Sequence, residues 1–130
     1  MIRQHVSLIG APSDVGAGTL GARMGPEALR VAGIARAIEQ FGIEVRDCGN
    51  VAGPANPWQP AVDGFRHLPE VVLWNRLLHD AVYDELQADR LPILLGGDHS
   101  LSIGSISAVA RLCRERSRKL RVLWFDAHAD

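Results

Sequence analysis

Cysteine is scarce in this chain of 130 residues: there are two, Cys48 and Cys113, and they form no C-x-x-C pair. That excludes a disulfide framework and a thiolate zinc knuckle, and both cysteines read as small buried apolar residues. A reducing compartment, the cytoplasm, is the expected location. The opening MIRQHVSLIG has no secretory-leader pattern. No apolar run reaches the roughly 18–20 residues that a membrane-crossing helix needs, so no membrane partner is expected. An excess of one charge is also missing. The 15 acidic and 14 basic side chains leave a formal charge of −1, which gives no support to a nucleic-acid partner. The arginines grouped within 111–121 read as the solvated end of a helix. Internal repeats, low-complexity tracts and a linker are absent, and the length suits one domain of about 100–150 residues.

What the chain does have is apolar material, 47% of its residues, in an ordered alternation. HVSLIG, 5–10, reads as a short buried strand. It runs into the glycine-rich loop APSDVGAGTLGARMGP. Gly25-Pro26 opens a helix, because proline at the first helical position lacks only an N–H that would have no partner there. Leu29, Ala32, Ile34, Ala35, Ile38 and Phe41 follow helical spacing up to Gly42. IEVRD, 43–47, alternates like a strand. A loop of about twenty residues follows, a length that usually signals function or mobility. The next helix spans about Pro69 to Asp89, with Val72, Leu73, Leu77, Leu78, Val82 and Leu86 as its buried stripe. LPILLGG, 91–97, and LRVLWF, 120–125, read as strands covered on both faces. Between them lies a helix over 101–116, packed through Leu101, Ile103, Ile106, Val109, Ala110, Leu112 and Cys113. Alternating strands and helices predict an α/β domain with a mainly parallel sheet.

In such sheets ligands bind beyond the carboxyl ends of the strands. Two strands end there in polar clusters, GGDHS (96–100) and DAHAD (126–130). In extended chain, residues two apart point the same way, so Asp126, His128 and Asp130 project together. His99 can complete a fourth position if the two strands are neighbours, with Gly96 and Gly97 permitting the sharp turn that aims it. Carboxylate and imidazole donors without thiolate suit manganese and can also hold iron, cobalt or zinc. Carboxylates can bridge two ions, an arrangement compatible with metal-assisted hydrolysis. Asp98 is either a partner for a metal-bound imidazole or a stabiliser of the turn. The glycine loop matches neither G-x-x-x-x-G-K-[ST] nor G-x-G-x-x-G, which counts against a nucleotide site. His5, His67 and His79 have no supporting pattern and read as structural.

GGDHS followed by DAHAD resembles the ureohydrolase superfamily of arginase, agmatinase and formimidoylglutamase, and the arginases most closely. GARMGPEALRVAGI resembles the early arginase segment G-x-x-x-GP followed by a helix. GGDHSLSIGSISAV, 96–109, carries the SIGS run typical of arginases. The resemblance extends from Val6 to Asp130. It implies a three-layer α/β/α fold with a mainly parallel sheet, of which residues 1–130 form the amino-terminal part of one domain. It also implies two Mn2+ ions that activate water to split the guanidinium of L-arginine into L-ornithine and urea. By the family pattern His99 binds one ion and His128 the other, Asp126 bridges both, and Asp130 completes the shell. No catalytic proton carrier is implied within this chain, because the remaining ligands, substrate contacts and proton shuttle of the family lie downstream. Relatives are homo-oligomers, and the intact protein is expected to be one. Two alternatives stand beside this reading: another ureohydrolase, such as agmatinase or guanidinobutyrase, and a non-catalytic relative that binds metal or a partner.

Overall fold

The computed structural model describes residues 5–127. Three strands, β1 (His5–Ala11), β2 (Glu44–Asn50) and β3 (Leu91–Gly96), form a parallel sheet in the order β2-β1-β3. The connections carry four helices: α1 (Gly25–Val31), α2 (Ile34–Glu39), α3 (Leu68–Gln87) and α4 (Ser102–Glu115). The predicted α/β class with a parallel sheet is what forms. Its layers follow from the alternation along the central strand. Val6 and Leu8 pack with Leu95 against Ile34, Ala35 and Ile38. Ile9 and Ala11 join Trp74, Leu78, Val82, Leu101, Ala108 and Leu112 from α3 and α4. β1 is apolar on successive residues because helices cover both of its faces. Leu8↔Ile93 and Ala11↔Gly96 fix the register of β1 on β3, and the β1–β2 register shifts between Leu8 and Gly10.

The one polar residue buried within β1 is satisfied at the sheet's amino end. Ser7 Oγ donates to Glu85 Oε2 at 2.5 Å and accepts from Arg90 Nε at 2.7 Å. Arg90 also donates to Val6 O and to Glu44. Polar groups left unpaired there would each carry a desolvation cost of about 1–3 kcal/mol.

Several expectations change. The helix read over 25–41 is two helices, because Gly33 adopts a left-handed conformation (φ 84°) that breaks the α-helical repeat. Phe41 is exposed as a result, and Leu29 is only partly covered. On α3 the buried face is Trp74, Asn75, Leu78, Val82 and Leu86, with Val72 and Leu73 turned outward. The rotation follows α4. Its Gly104 comes so close to Asn75 that a Cβ would overlap the Asn75 backbone. Asn75 Nδ2 donates to Val71 O, and its Oδ1 accepts the Gly104 N–H at 2.6 Å, serving a first-turn donor of α4 that has no partner within its own helix. Ile103 is consequently exposed, while Gly104 and Ala108 face the core.

Residues 120–125 form no strand. Leu123 is 73% and Phe125 93% exposed, and the segment makes no ladder with β3. A strand apolar on both faces forms where layers cover both faces. Among the described residues α1–α4 cover β1–β3 and nothing covers this segment. Cys48 is exposed on edge strand β2, and Cys113 is half-buried.

The carboxyl end of β2 is tied to α1 by charge. Arg30 Nε donates to Asp47 Oδ2 at 2.8 Å, and Arg30 also reaches Glu27 and Asn50. The hydrogen bond from Arg30 holds the Asp47 carboxyl below the usual carboxylate range, against the opposing effect of partial burial. A carboxyl depressed in the fold stabilises above its unfolded pKa and loses that contribution as pH falls through its folded one. Acid titration of the folded chain is therefore expected to lose stability through and below the ordinary aspartate range, and Asp47→Asn to flatten that segment of the curve.

The α3 assignment gives a sharper test. Leu78→Ala is expected to cost about 2–5 kcal/mol in chemical denaturation, as deletions from filled cores do. Leu73→Ala, on the outward face, is expected to cost less than about 1 kcal/mol. Equal losses would contradict the rotation of the buried face.

Candidate metal centre

β3 ends at Gly96, and the chain turns at once into a short 3₁₀ segment, His99–Leu101, that leads into α4. Crowding enforces the turn. A Cβ on Gly97 would lie 2.5 Å from Ser13 O, 2.6 Å from Ala11 O and 2.7 Å from Leu101 Cδ1. Glycine is needed here because backbone meets backbone; Gly97 is not among the left-handed glycines. A Cβ on Gly25 would overlap Gly96 O, so the start of α1 also rests directly on the end of β3.

Asp98 fastens this turn. It caps the 3₁₀ segment by accepting Ser100 N–H at 3.0 Å, and it accepts Ser100 Oγ–H at 2.5 Å. Its other oxygen accepts Gly16 N–H at 3.0 Å, which joins the glycine-rich loop after β1 to the loop after β3. Of the two roles open to Asp98, the geometry supports that of turn stabiliser. A Cβ on Gly16 would lie 2.7 Å from both Asp98 Oδ1 and Ser100 Oγ.

His99 stands beyond this anchored turn with its side chain 65% exposed. Its Nδ1 lies 3.8 Å from Asp126 Oδ2, and the Asp126 side chain is only 17% exposed. Trp124 Nε1 donates to the same Asp126 oxygen at 3.2 Å, and the Trp124 ring meets the His99 ring edge-on, with centroids 6.1 Å apart. So the segment that fails to join the sheet still brings Asp126 to the end of β3. A cavity of about 550 Å³ opens beside the pair, lined by Gly16, Ala17, Asp98, His99, Ile103 and Trp124.

Two donors that each lie about 2.0–2.2 Å from one ion are at most about 4.4 Å apart. The 3.8 Å between His99 and Asp126 fits a shared ion. His128 and Asp130, the other two expected ligands, lie outside the described residues. Among the described residues no group of three possible ligands converges, so the structure brings together one pair of the expected four.

The other histidines are structural. His67 is buried and adopts φ 47°. Its Nδ1 lies 2.8 Å from Val15 O, and its Nε2 lies within hydrogen-bond distance of the Gln59 main chain, 2.9 Å from O and 3.2 Å from N. It thereby staples the long loop between β2 and α3 to the loop after β1. Trp74 Nε1 donates to Pro54 O and holds the same loop from α3. His5 pairs with Glu44, and His79 with Asp80. Spacing along the chain carries no sign of the His67 contacts, since the partners are main-chain atoms as far as 52 residues away.

The sequence pattern of the arginase family matches residues 4–130. The arginase of Brucella melitensis is 42% identical over 127 residues, which cover 97% of this chain and 41% of that protein. Among solved structures, the arginase of Bacillus caldovelox superposes with a TM-score of 0.74 at 37% identity, covering 82% of this chain and 36% of that one. The Entamoeba histolytica arginase, solved in complex with L-ornithine, gives 0.73 at 30% identity, with 85% and 37% covered. The chain thus spans about two fifths of the length of the relatives it matches.

The anchoring role of Asp98 predicts that Asp98→Ala, which removes a cap and frees Gly16 N–H, costs about 1–3 kcal/mol in denaturant unfolding. Gly16→Ala is expected to destabilise as well, through its overlap with Asp98 and Ser100. A neutral Asp98→Ala would remove Asp98 as the fastener of this turn.

Proposed function

The chain belongs to the arginase family, and from that premise we propose that residues 1–130 are the amino-terminal part of a single α/β domain that hydrolyses the guanidinium of L-arginine to L-ornithine and urea with manganese. The observation that carries this reading is the approach of His99 and Asp126, from two separate segments, to 3.8 Å beside an open cavity. His99 and Asp126 would hold metal there, joined by His128 and Asp130. A bound manganese pair supplies Lewis acidity and activates water at neutral pH.

The chain's own residues do the positioning. Asp98 fixes the turn that presents His99. The Trp124 indole N–H orients Asp126. The carboxylates at this edge make a setting that favours a cationic guanidinium. No proton carrier is assigned within the chain. Cytoplasmic location and homo-oligomeric assembly accompany this proposal. Agmatine and guanidinobutyrate are the competing substrates.

The test has two parts. Electron paramagnetic resonance on the purified chain is expected to show weak manganese binding, weakened further by at least about tenfold in Asp126→Asn. A chimera in which residues 1–130 replace the matching segment of the Bacillus caldovelox arginase is expected to release urea from L-arginine, with manganese required. Asp126→Asn in that chimera is expected to lower turnover by at least roughly a hundredfold. Full activity after that substitution would overturn the assignment, and release from agmatine in preference to L-arginine would move the substrate.

A further inference from the structure

A groove of about 480 Å³ runs between α3 and α4, over the close contact of Asn75 with Gly104. Leu68, Val72 and Ile103 line it and are 47%, 40% and 60% exposed, although each is a large apolar side chain. The two helices bury their other faces, those of Trp74, Leu78, Ala108 and Leu112, with Ile9 and Ala11 of β1. The groove is on the side turned away from the sheet, so a further strand beside β3 would leave it open.

Arg76 and Asp80 also line this groove. Four residues apart on α3, they share one face and stand about 6 Å apart along the helix axis. They are not paired with each other. Asp80 pairs with His79, and its side chain is 76% exposed. Arg76 is exposed and has no ion pair among the described residues. A polyanion would meet Asp80 as a like charge, and a polycation would meet Arg76. A basic and an acidic group set one turn apart on one helix are complementary to their own two-fold copy. A second α3, laid antiparallel across a two-fold axis at the level of Leu78, puts Arg76 of each chain opposite Asp80 of the other. Exposed ion pairs contribute little strength, so these would set the orientation while burial of the apolar side chains supplies the attraction. We propose that the α3–α4 groove is a self-association surface. In it a second copy of this chain covers Leu68, Val72 and Ile103, and two symmetric Arg76–Asp80 pairs fix the register. The inference gives a surface to the homo-oligomer proposed above and rests on that part of the reading.

Analytical ultracentrifugation of the purified chain over a concentration series reads association without metal or turnover, so its failure leaves the His99–Asp126 reading standing. Concentration-dependent dimers are expected. Arg76→Asp and Asp80→Arg are each expected to weaken association at least about tenfold, because each sets like charges against one another at two symmetric places. The double variant restores opposite charges across the axis. Its dissociation constant is expected to return to within about threefold of that of the unaltered chain. Circular dichroism checks that each variant is folded, and both positions are exposed. A chain that stays monomeric, association unmoved by Arg76→Asp, or a double variant no stronger than the single ones would overturn the proposal. Association through the exposed 120–125 segment would give the second of these results.

Discussion

Just past the carboxyl end of β3, at Gly97, and against that end, at Gly25, the protein has no space for a Cβ. Gly97 lies against the carbonyls of Ala11 and Ser13, and Gly25 against that of Gly96. Three stretches of main chain meet there: the end of β1, the end of β3 and the start of α1. The candidate centre stands on that junction. His99 projects from a turn whose course is set by backbone crowding on one side and by the Asp98 hydrogen bonds on the other. A side chain fixed in this way needs little from its own rotamer preference to be presented at the sheet edge.

The same junction ties the glycine-rich loop to the candidate centre. Gly16 donates its N–H to Asp98. A Cβ there would strike the residues that receive it. Nearby, Ser13 Oγ accepts Val15 N–H, and Val15 O accepts from His67. The loops after β1, β2 and β3 are thus linked through polar contacts of short side chains and main chain.

Much of this was legible in the residues. Continuous apolar runs marked β1 and β3, and Gly25-Pro26 marked the start of α1. GGDHS and DAHAD supplied the candidate ligands, and of these His99 and Asp126 approach one another. The parts that were not legible depend on partners distant in sequence. Asn75 is absent from the stripe expected for α3, and its burial follows from Gly104 being placed beside it. Val72 and Leu73 read as core until α4 selects the neighbouring stripe. The apolar 120–125 has the pattern of a strand, but a strand also needs a ladder partner and a covering layer. Gly33 lies within a helical periodicity that gives no hint of its left-handed backbone.

The contact between Asn75 and Gly104 also bears on how the fold assembles. An isolated helix must leave its first N–H groups to water, and nucleating it is unfavourable. Here α3 supplies an acceptor to the first turn of α4, while the glycine that allows the approach weakens α4 as an independent helix. The two helices are therefore coupled: α4 gains its cap and its buried face only once α3 is in place. With a sequence separation of 29 from Asn75 to Gly104, and β3 between the helices, that closure is short in sequence. It makes α3, β3 and α4 a single cooperative unit, one expected to open and close together and to carry the His99 turn with it.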